Sequence, residues 1–459
     1  LGSKSGGSKG EAQPPLGSEV ELMRDWLFIP LDDRPCCWQF PQRLARLELP
    51  PQELLGNFQQ PGDGDALLDW LEERASGAPG AIVSIDMLVW GGLVASRHPS
   101  GDLKRALVRL QRLWEIRQKH DLKLLAFQTI MRNAPTQTTA QEVEWAEAIV
   151  EFSQDPDNEV LRSAIPSQVL HDYMRVRQRN LRIYRELAQH AWESNYLVFA
   201  LDDSKTSGWN LLELNSLGQV NSLPGTDETG LLLMCRAMAR QRTIQVDWSN
   251  AELPNLQGLY EDRPAGAVLK AQMEAAQLEE GTSNYQLWLY GRENQPQIEA
   301  RSQQFAEVDS AWLTYLGTAL AAGARIVLVD LTFANGGDLS LGQALRTRGL
   351  WPKLAGYSAW NTLGNRVGCG LATLVLDSTP EFLAERLADD LLYQADFRWR
   401  AAQLLGHPGL TLSDYEVQRI QREVFPALRE RVKAYLPAHC EFRLPWQRLF
   451  EVECESRYE

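Results

Sequence analysis

From residue 26 onward the chain alternates short apolar runs with amphipathic stretches, and this alternation limits the possible folds more than any other feature. Eight runs have the length and the β-branched or aromatic content of buried strands: Trp26–Pro30, Ala81–Ile85, Lys123–Gln128, Tyr196–Leu201, Thr243–Val246, Gln286–Tyr290, Arg325–Asp330 and Leu354–Tyr357. Helical patterns lie between them, over Ala140–Phe152, Gln178–Glu193, Thr229–Arg240, Ala265–Leu278 and Asp309–Ala322, with Gly323 as a helix stop before the next strand. Strands that alternate with helices belong to βα units and a parallel sheet. Eight in order suit an α/β fold of the (β/α)8-like barrel type. Two doubly wound parallel-sheet domains would use the same strands and are the alternative.

Residues 1–25 begin LGSKSGGSKGEAQPP, the Gly, Ser, Lys and Pro mixture of a flexible linker. Residues 26–372 are expected to form the α/β catalytic domain. Residues 373–459 are expected to add a packed helical region, from PEFLAERLADDLLYQADFRWRAAQLL and LSDYEVQRIQREVFPALRERVKAYL. The tether-like start, without a leading methionine, favours an exported or envelope-tethered protein over a cytoplasmic one.

Charge and motif content exclude several functions. With 46 Lys and Arg against 60 Asp and Glu the net charge is −14, so no nucleic-acid partner is expected, since that job needs a basic face. No apolar run approaches the roughly 20 residues of a membrane span, so a soluble chain without a transmembrane segment is expected. The six cysteines contain no CxxC, and the six histidines never pair at i,i+2 or i,i+4, which argues against structural zinc and a histidine-built metal site. GxGxxG, GxxxxGK[ST] and GxSxG are missing from the strand ends, so no nucleotide cofactor and no nucleophile-elbow hydrolase are expected.

Polar clusters follow the strand candidates, at what would be the carboxyl edge of a parallel sheet, where α/β enzymes place their sites. PLDDRP at 30–35 offers Asp32 and Asp33 to ligand hydroxyls and Arg34 to an anionic group; a helix cap plus an ion pair is the structural alternative. SIDMLVWGGLVASR at 84–97 places Asp86 at the end of a buried strand, where an ionised carboxylate is costly unless it faces a cleft. FQTIMRN at 127–133 supplies Arg132. LVFALDDSKTSGWNLLE at 197–213 holds the consecutive Asp202 and Asp203, whose mutual repulsion should raise one pKa above the other and so provide an acid and a base. GTDETG at 225–230 caps a helix with Thr226 or Asp227, leaving the other free for the site. VDLTFANGGD at 329–338 and GYSAWNTLGN at 356–365 add Asp330, Asn335, Asp338, Tyr357, Trp360 and Asn361, a mixture of carboxylates, amides and aromatics suited to a polyhydroxylated ligand.

Together PLDDRP, SIDMLVWGGLVASR, IMR, LDDS, GTDE, YEDRP at 260–264, ANGGD and GYSAWNTLGN, in that order over 26–370, resemble a bacterial family, domain of unknown function 4127. The late DLLYQADFRWR and PWQRLFE are similar to it too. The resemblance implies no activity, because the family's function is unassigned. Cys36-Cys37 stands where the family pattern usually has Val-Asn, which removes a polar contact at position 37.

The leading expectation is a glycoside hydrolase acting on an oligosaccharide or other small-molecule substrate, with an N-acetylated sugar as one candidate. By analogy with barrel hexosaminidases, Asp202 would orient the substrate acetamide and Asp203 would protonate the leaving oxygen. Asp32, Asp33, Asp86, Asp330, Asn335, Asp338 and Asn361 would bind hydroxyls. A metal-dependent hydrolase or transferase is the second expectation, because strand-end aspartates suit a hard divalent ion. A non-catalytic carbohydrate-binding envelope protein is the third.

Overall fold

The computed structural model describes residues 2, 24–58, 60–136, 140–190 and 195–458, so the expected linker over 1–25 falls almost wholly outside the described residues. The first strands are β1 (Trp26–Ile29), β2 (Leu47–Glu48), β3 (Ala81–Ser84), β4 (Leu124–Ile130), β5 (Tyr196–Leu201) and β6 (Ser222–Pro224). They form one sheet in the order β2-β1-β3-β4-β5-β6, with every pairing parallel. The next are β7 (Thr243–Trp248), β8 (Glu279–Glu280), β9 (Tyr285–Tyr290), β10 (Ile298–Glu299), β11 (Arg325–Asp330), β12 (Phe333–Ala334) and β13 (Gly356–Ser358). Of these, β13-β11-β9-β7-β8 form a second parallel sheet and β10 pairs with β12.

All eight expected strands therefore exist, but four lie in each sheet, and no sheet closes among the described residues. The α/β class and the parallel pairing stand; the barrel does not form, and the two open sheets match the alternative topology. The physical reason is the pair of two-residue strands β2 and β8. Each docks on the outer side of the first strand of its sheet, so the chain must return past that strand and wind the other way. Renumbered from its own first strand, the second sheet repeats the 2-1-3-4-5 order of the first. In such sheets the site lies at the carboxyl ends, where the winding reverses.

Strand residues alternate between two cores with the expected period of two. Phe28, Ile82, Leu125 and Val198 of the first sheet share one core with Leu287, Leu289, Val327 and Val329 of the second. Helices Thr229–Met238, Ala265–Ala276 and Leu363–Val375 lie between them. The opposite strand faces pack outward, Leu27, Val83, Ala126 and Phe199 into one core and Trp288, Ile326 and Leu328 into another. Burying each large apolar side chain stabilises the layers by about 1.5–3 kcal/mol. The helices of the C-terminal region form, and an antiparallel hairpin of β14 (Ala438–Arg443) and β15 (Glu453–Tyr458) adds to them. No helix of the described residues is long and apolar enough to cross a membrane.

Candidate functional site

The turns that leave the first sheet bring five of the expected charged clusters to one edge. After β1, Asp32 accepts the Arg34 amide at 3.1 Å and its Nε at 2.9 Å, while Arg34 Nη2 donates to Asp227 Oδ1 at 2.5 Å. Pro35 then fixes the first turn of helix Pro35–Leu44, where its missing amide costs nothing. Asp33 takes a different partner: its Oδ1 accepts the Trp446 indole N–H at 2.8 Å. Burial, helped by neighbouring Asp32, pushes the Asp33 carboxyl up to about 6.

After β4, Arg132 donates from Nη1 to Asp203 Oδ2 at 2.7 Å and from Nε to the Ala134 carbonyl at 3.0 Å. After β5, Asp202 pairs with Arg97, so the two consecutive aspartates are held by different arginines. Burial pushes Asp202 up to about 6, opposed by Arg97 and reinforced by Asp203. Asp203 has 29% of its side chain exposed. After β6, burial raises the Asp227 carboxyl despite its bond to Arg34.

The second half of the chain supplies the facing wall. The Ser204 amide donates to the Tyr260 carbonyl at 2.9 Å, which ties the turn after β5 across to it. Tyr260 donates its hydroxyl to Glu299 Oε1 at 2.6 Å, and Asn335 Nδ2 donates to both Glu299 oxygens at 3.1 and 3.0 Å. The Asn335 amide donates to the Asn361 carbonyl at 3.0 Å. Asp203 acts electrostatically on Tyr260 and on buried Glu261, whose carboxyl burial pushes up to about 7. Asp203, Asn335 and Asn361 all have left-handed backbones, with φ of 36°, 54° and 60°. Outside glycine that conformation is uncommon and favours Asn and Asp, so three expected site residues occupy strained turns held by their surroundings.

A wide π-helix, Leu387–Phe397, holds this wall in place. The Asp390 carbonyl accepts the Gly337 amide at 2.9 Å and its Oδ2 accepts the Ala359 amide at 2.8 Å, fixing the turns that carry Asn335 and Asn361. Tyr393 and Gln394 donate to the Leu449 and Phe450 carbonyls at 2.8 and 3.0 Å, which anchors the segment carrying Trp446, Arg448 and Glu451. Trp446 stacks on Phe58 with centroids 5.0 Å apart, and the Arg448 guanidinium lies 4.8 Å from the Phe58 centroid. Beside Phe58 and Arg97 opens a cleft of about 930 Å³, also lined by Trp90, His98, Arg105 and Arg109.

Five expected residues face away from this group. Asp86 is buried and accepts Gln128 Nε2 and the Thr129 amide, each at 2.7 Å, so it braces the end of β4. Asp330 accepts the Thr332 and Asp338 amides and the Tyr357 hydroxyl, all inside the fold. Asp338 caps helix Leu339–Thr347 and pairs through both oxygens with Arg292 at 2.8 Å. Trp360 packs into the shared core, 5.9 Å from the Phe450 ring, and the stacked aromatics at the site are Phe58 and Trp446 instead. Asp86, Asp330, Asp338, Tyr357 and Trp360, expected at a ligand, are thus engaged by other parts of the fold.

Arg97, Tyr260, Glu261, Glu299, Trp446 and Arg448 were not among the expected site residues. Five of them lie in motifs that carry the family resemblance: Arg97 closes SIDMLVWGGLVASR, Tyr260 and Glu261 open YEDRP, and Trp446 and Arg448 sit in PWQRLFE. For the metal expectation, the one group of at least three ligand-type side chains found among the described residues is Cys36, Cys37 and Asp227, with ligand atoms within 4.8 Å of one another. That is a thiol-rich set, unlike the carboxylates expected for a hard ion.

A family model described as "Protein of unknown function (DUF4127)" matches residues 26–455. No curated protein matches significantly. Among solved structures, the chain has 9% identity and a TM-score of 0.19 to a family 5 lichenase from Caldicellulosiruptor sp. F32, over 75% of this chain and 86% of that one. A family 5 glycoside hydrolase from Prevotella bryantii B14, in complex with a xyloglucan tetradecasaccharide, also gives 9% and 0.19, over 69% of this chain and 87% of its own. Likenesses this slight carry no argument about fold or activity.

Proposed function

This chain belongs to the DUF4127 family, and we propose that it is a glycoside hydrolase in which Asp33 and Asp203 form the acid and carboxylate pair. The observation that carries this reading is the contrast between two carboxyls on one site edge. Asp33 is pushed up to about 6, and its Oδ1 is held by the Trp446 indole. Asp203 is partly exposed, held in a strained turn and ion-paired with Arg132. Carboxyls whose environments differ in this way are what acid–base cleavage requires.

In the reaction Asp33 gives its proton to the leaving glycosidic oxygen. Asp203 stabilises the positive charge that develops at the anomeric carbon, or takes a proton from the attacking water. Asp202, engaged by Arg97, orients the end of β5. Tyr260, Asn335 and Asn361 supply hydrogen bonds to hydroxyls, and the buried Phe58–Trp446 pair holds Arg34 and Arg448 in place. These roles replace the one read from the sequence, in which Asp203 gave the proton and Asp202 held an acetamide.

The test is a mass-spectrometric screen of oligosaccharides and aryl glycosides, N-acetylated and acidic ones included, with wild type, Asp203→Asn and Asp33→Asn. Wild type should cleave at least one class. Asp203→Asn should be slowed on every substrate, and Asp33→Asn should be slowed least on aryl glycosides whose leaving group needs no proton. Full activity of both variants on a cleaved substrate would contradict the assignment. Absence of cleavage with bound sugar would return weight to the carbohydrate-binding reading.

A further inference from the structure

Four arginines from four separate segments meet at this site in a chain whose net charge is −14. Arg34 follows β1, Arg97 follows helix Leu93–Ser96, Arg132 follows β4 and Arg448 comes from the C-terminal segment. They lie close enough to act on one another: Arg34 and Arg132 both disfavour the charge on Arg97, and both disfavour the charge on Arg448. Gathering like charges in a half-buried place is unfavourable unless opposite charge balances them.

The donors are unequally used. Arg34 is saturated, with Nε on Asp32 and both terminal nitrogens on Asp227. Arg97, 6% exposed in its side chain, bonds among the described residues only to Asp202, and its buried Nε has no hydrogen-bond partner. Arg132 uses Nε and Nη1. Arg448 has one ion pair, from Nε to Glu451 Oε2 at 3.3 Å, with no hydrogen bond at that nitrogen. A guanidinium carries five donors in a planar fork that matches a carboxylate or phosphate. Asp32, Asp227, Asp202, Asp203 and Glu451 already balance the four cations, so what an anion offers beyond a neutral hydroxyl is a charged, bidentate acceptor for the donors they leave spare.

We infer that the substrate carries an anionic group, a carboxylate or a phosphate, which seats against the spare donors of Arg97, Arg132 and Arg448. The inference rests on the hydrolase reading for the word substrate and deepens it: the sugar on one side of the bond is acidic or phosphorylated. Of the carboxylates that now hold these arginines, Asp202 and Glu451 are raised by burial, which disfavours their ionised forms relative to a solvated carboxylate. The 930 Å³ cleft beside Arg97 carries both signs of charge, with Arg105 and Arg109 held by Asp65 and with Asp63 and Asp102 also in its lining, so the anion-binding donors are those of Arg97, Arg132 and Arg448.

Calorimetric titration with matched monosaccharides, which contain no bond to cleave, tests this apart from catalysis. The pairs are glucuronate with glucose, galacturonate with galactose, and glucose 6-phosphate with glucose. At least one anionic member should bind wild type about tenfold or more tightly than its neutral partner. A preference in the carboxylate pairs alone identifies an acidic sugar, and one in the phosphate pair alone identifies a sugar phosphate. Arg97→Gln and Arg132→Gln should each abolish the preference, Arg97→Lys should keep part of it, and thermal unfolding checks that each variant is folded. Equal binding within every pair, no binding of any anionic member, or a preference that survives in folded Arg97→Gln and Arg132→Gln would overturn the inference. Failure of the hydrolase reading shows up differently, as anion-selective binding without turnover of any glycoside.

Discussion

At the carboxyl edge of the first sheet, Asp203 sits behind β5 with 29% of its side chain exposed and its charge on Arg132, a long side chain from the neighbouring turn. At the same edge of the second sheet, Asp330 ends β11 fully buried, with both oxygens taken by the Thr332 and Asp338 amides and the Tyr357 hydroxyl. The second sheet repeats the order of the first five strands of the first sheet, and aspartate stands at or just beyond a strand end in both. What separates the two edges is the partner. Backbone amides and a neighbouring phenol close the second edge on itself, whereas arginines from distant segments leave the first edge polar and open to a ligand. Asp203 thus takes a distant arginine as its partner and stays partly exposed, whereas Asp330 is closed off by two amides of its own turn and the Tyr357 hydroxyl.

The contrast can be broken by exchanging the two outcomes. The largest effect should come from Asp203→Asn, which is expected to lower kcat/KM on the cleaved glycoside by about 10²–10⁴-fold. Its thermal midpoint should stay close to wild type, because the side chain is partly exposed and its hydrogen bond among the described residues is to the Arg132 side chain. An unfolded Asp203→Asn would remove the distinction between the edges.

Asp330→Ala should do the reverse. It strips the partner from two buried amides and a buried hydroxyl, so denaturant unfolding should show a loss of about 3 kcal/mol. The kcat of the fraction that remains folded should be unchanged. A catalytic defect without loss of stability would place Asp330 with the first edge.

The smallest effect sharpens the role of Trp446. Its indole N–H lowers the Asp33 pKa that burial and Asp32 raise. Trp446→Phe keeps a ring against Phe58 but removes the donor, so the Asp33 pKa should rise. A general acid works only while protonated, and the rate therefore falls as pH passes through its pKa. The alkaline limb should then move to higher pH by less than about one unit. A shift to lower pH would contradict the assigned hydrogen bond.

How much of this was legible in the sequence follows from distance along the chain. The eight strands were readable because most are short apolar runs buried on both faces; Thr243–Trp248, with only Ile244 buried, is the weakest of them. The strands that decide the topology, Leu47–Glu48 and Glu279–Glu280, are two residues long, half or fully exposed, and leave no periodic trace, so the barrel and the paired sheets looked alike. Asp202-Asp203 stood out as a local pair, and Asp33 as part of PLDDRP. The bond that sets Asp33 comes from Trp446, 413 residues away, and nothing local distinguishes that tryptophan from the core tryptophans. Arg97 ends a motif that was recognised, but its pairing with Asp202 depends on how β3 and β5 flank β4, which only the sheet order supplies.

The pH dependence of kcat/KM on the best substrate of the screen, for wild type and Asp33→Asn, tests the acid assignment most directly. Wild type should lose activity as pH rises through about 6, where Asp33 gives up its proton. Asp33→Asn should be slow at every pH and lack that limb. An alkaline limb that survives unchanged in Asp33→Asn would show that the proton comes from another group and would contradict the account.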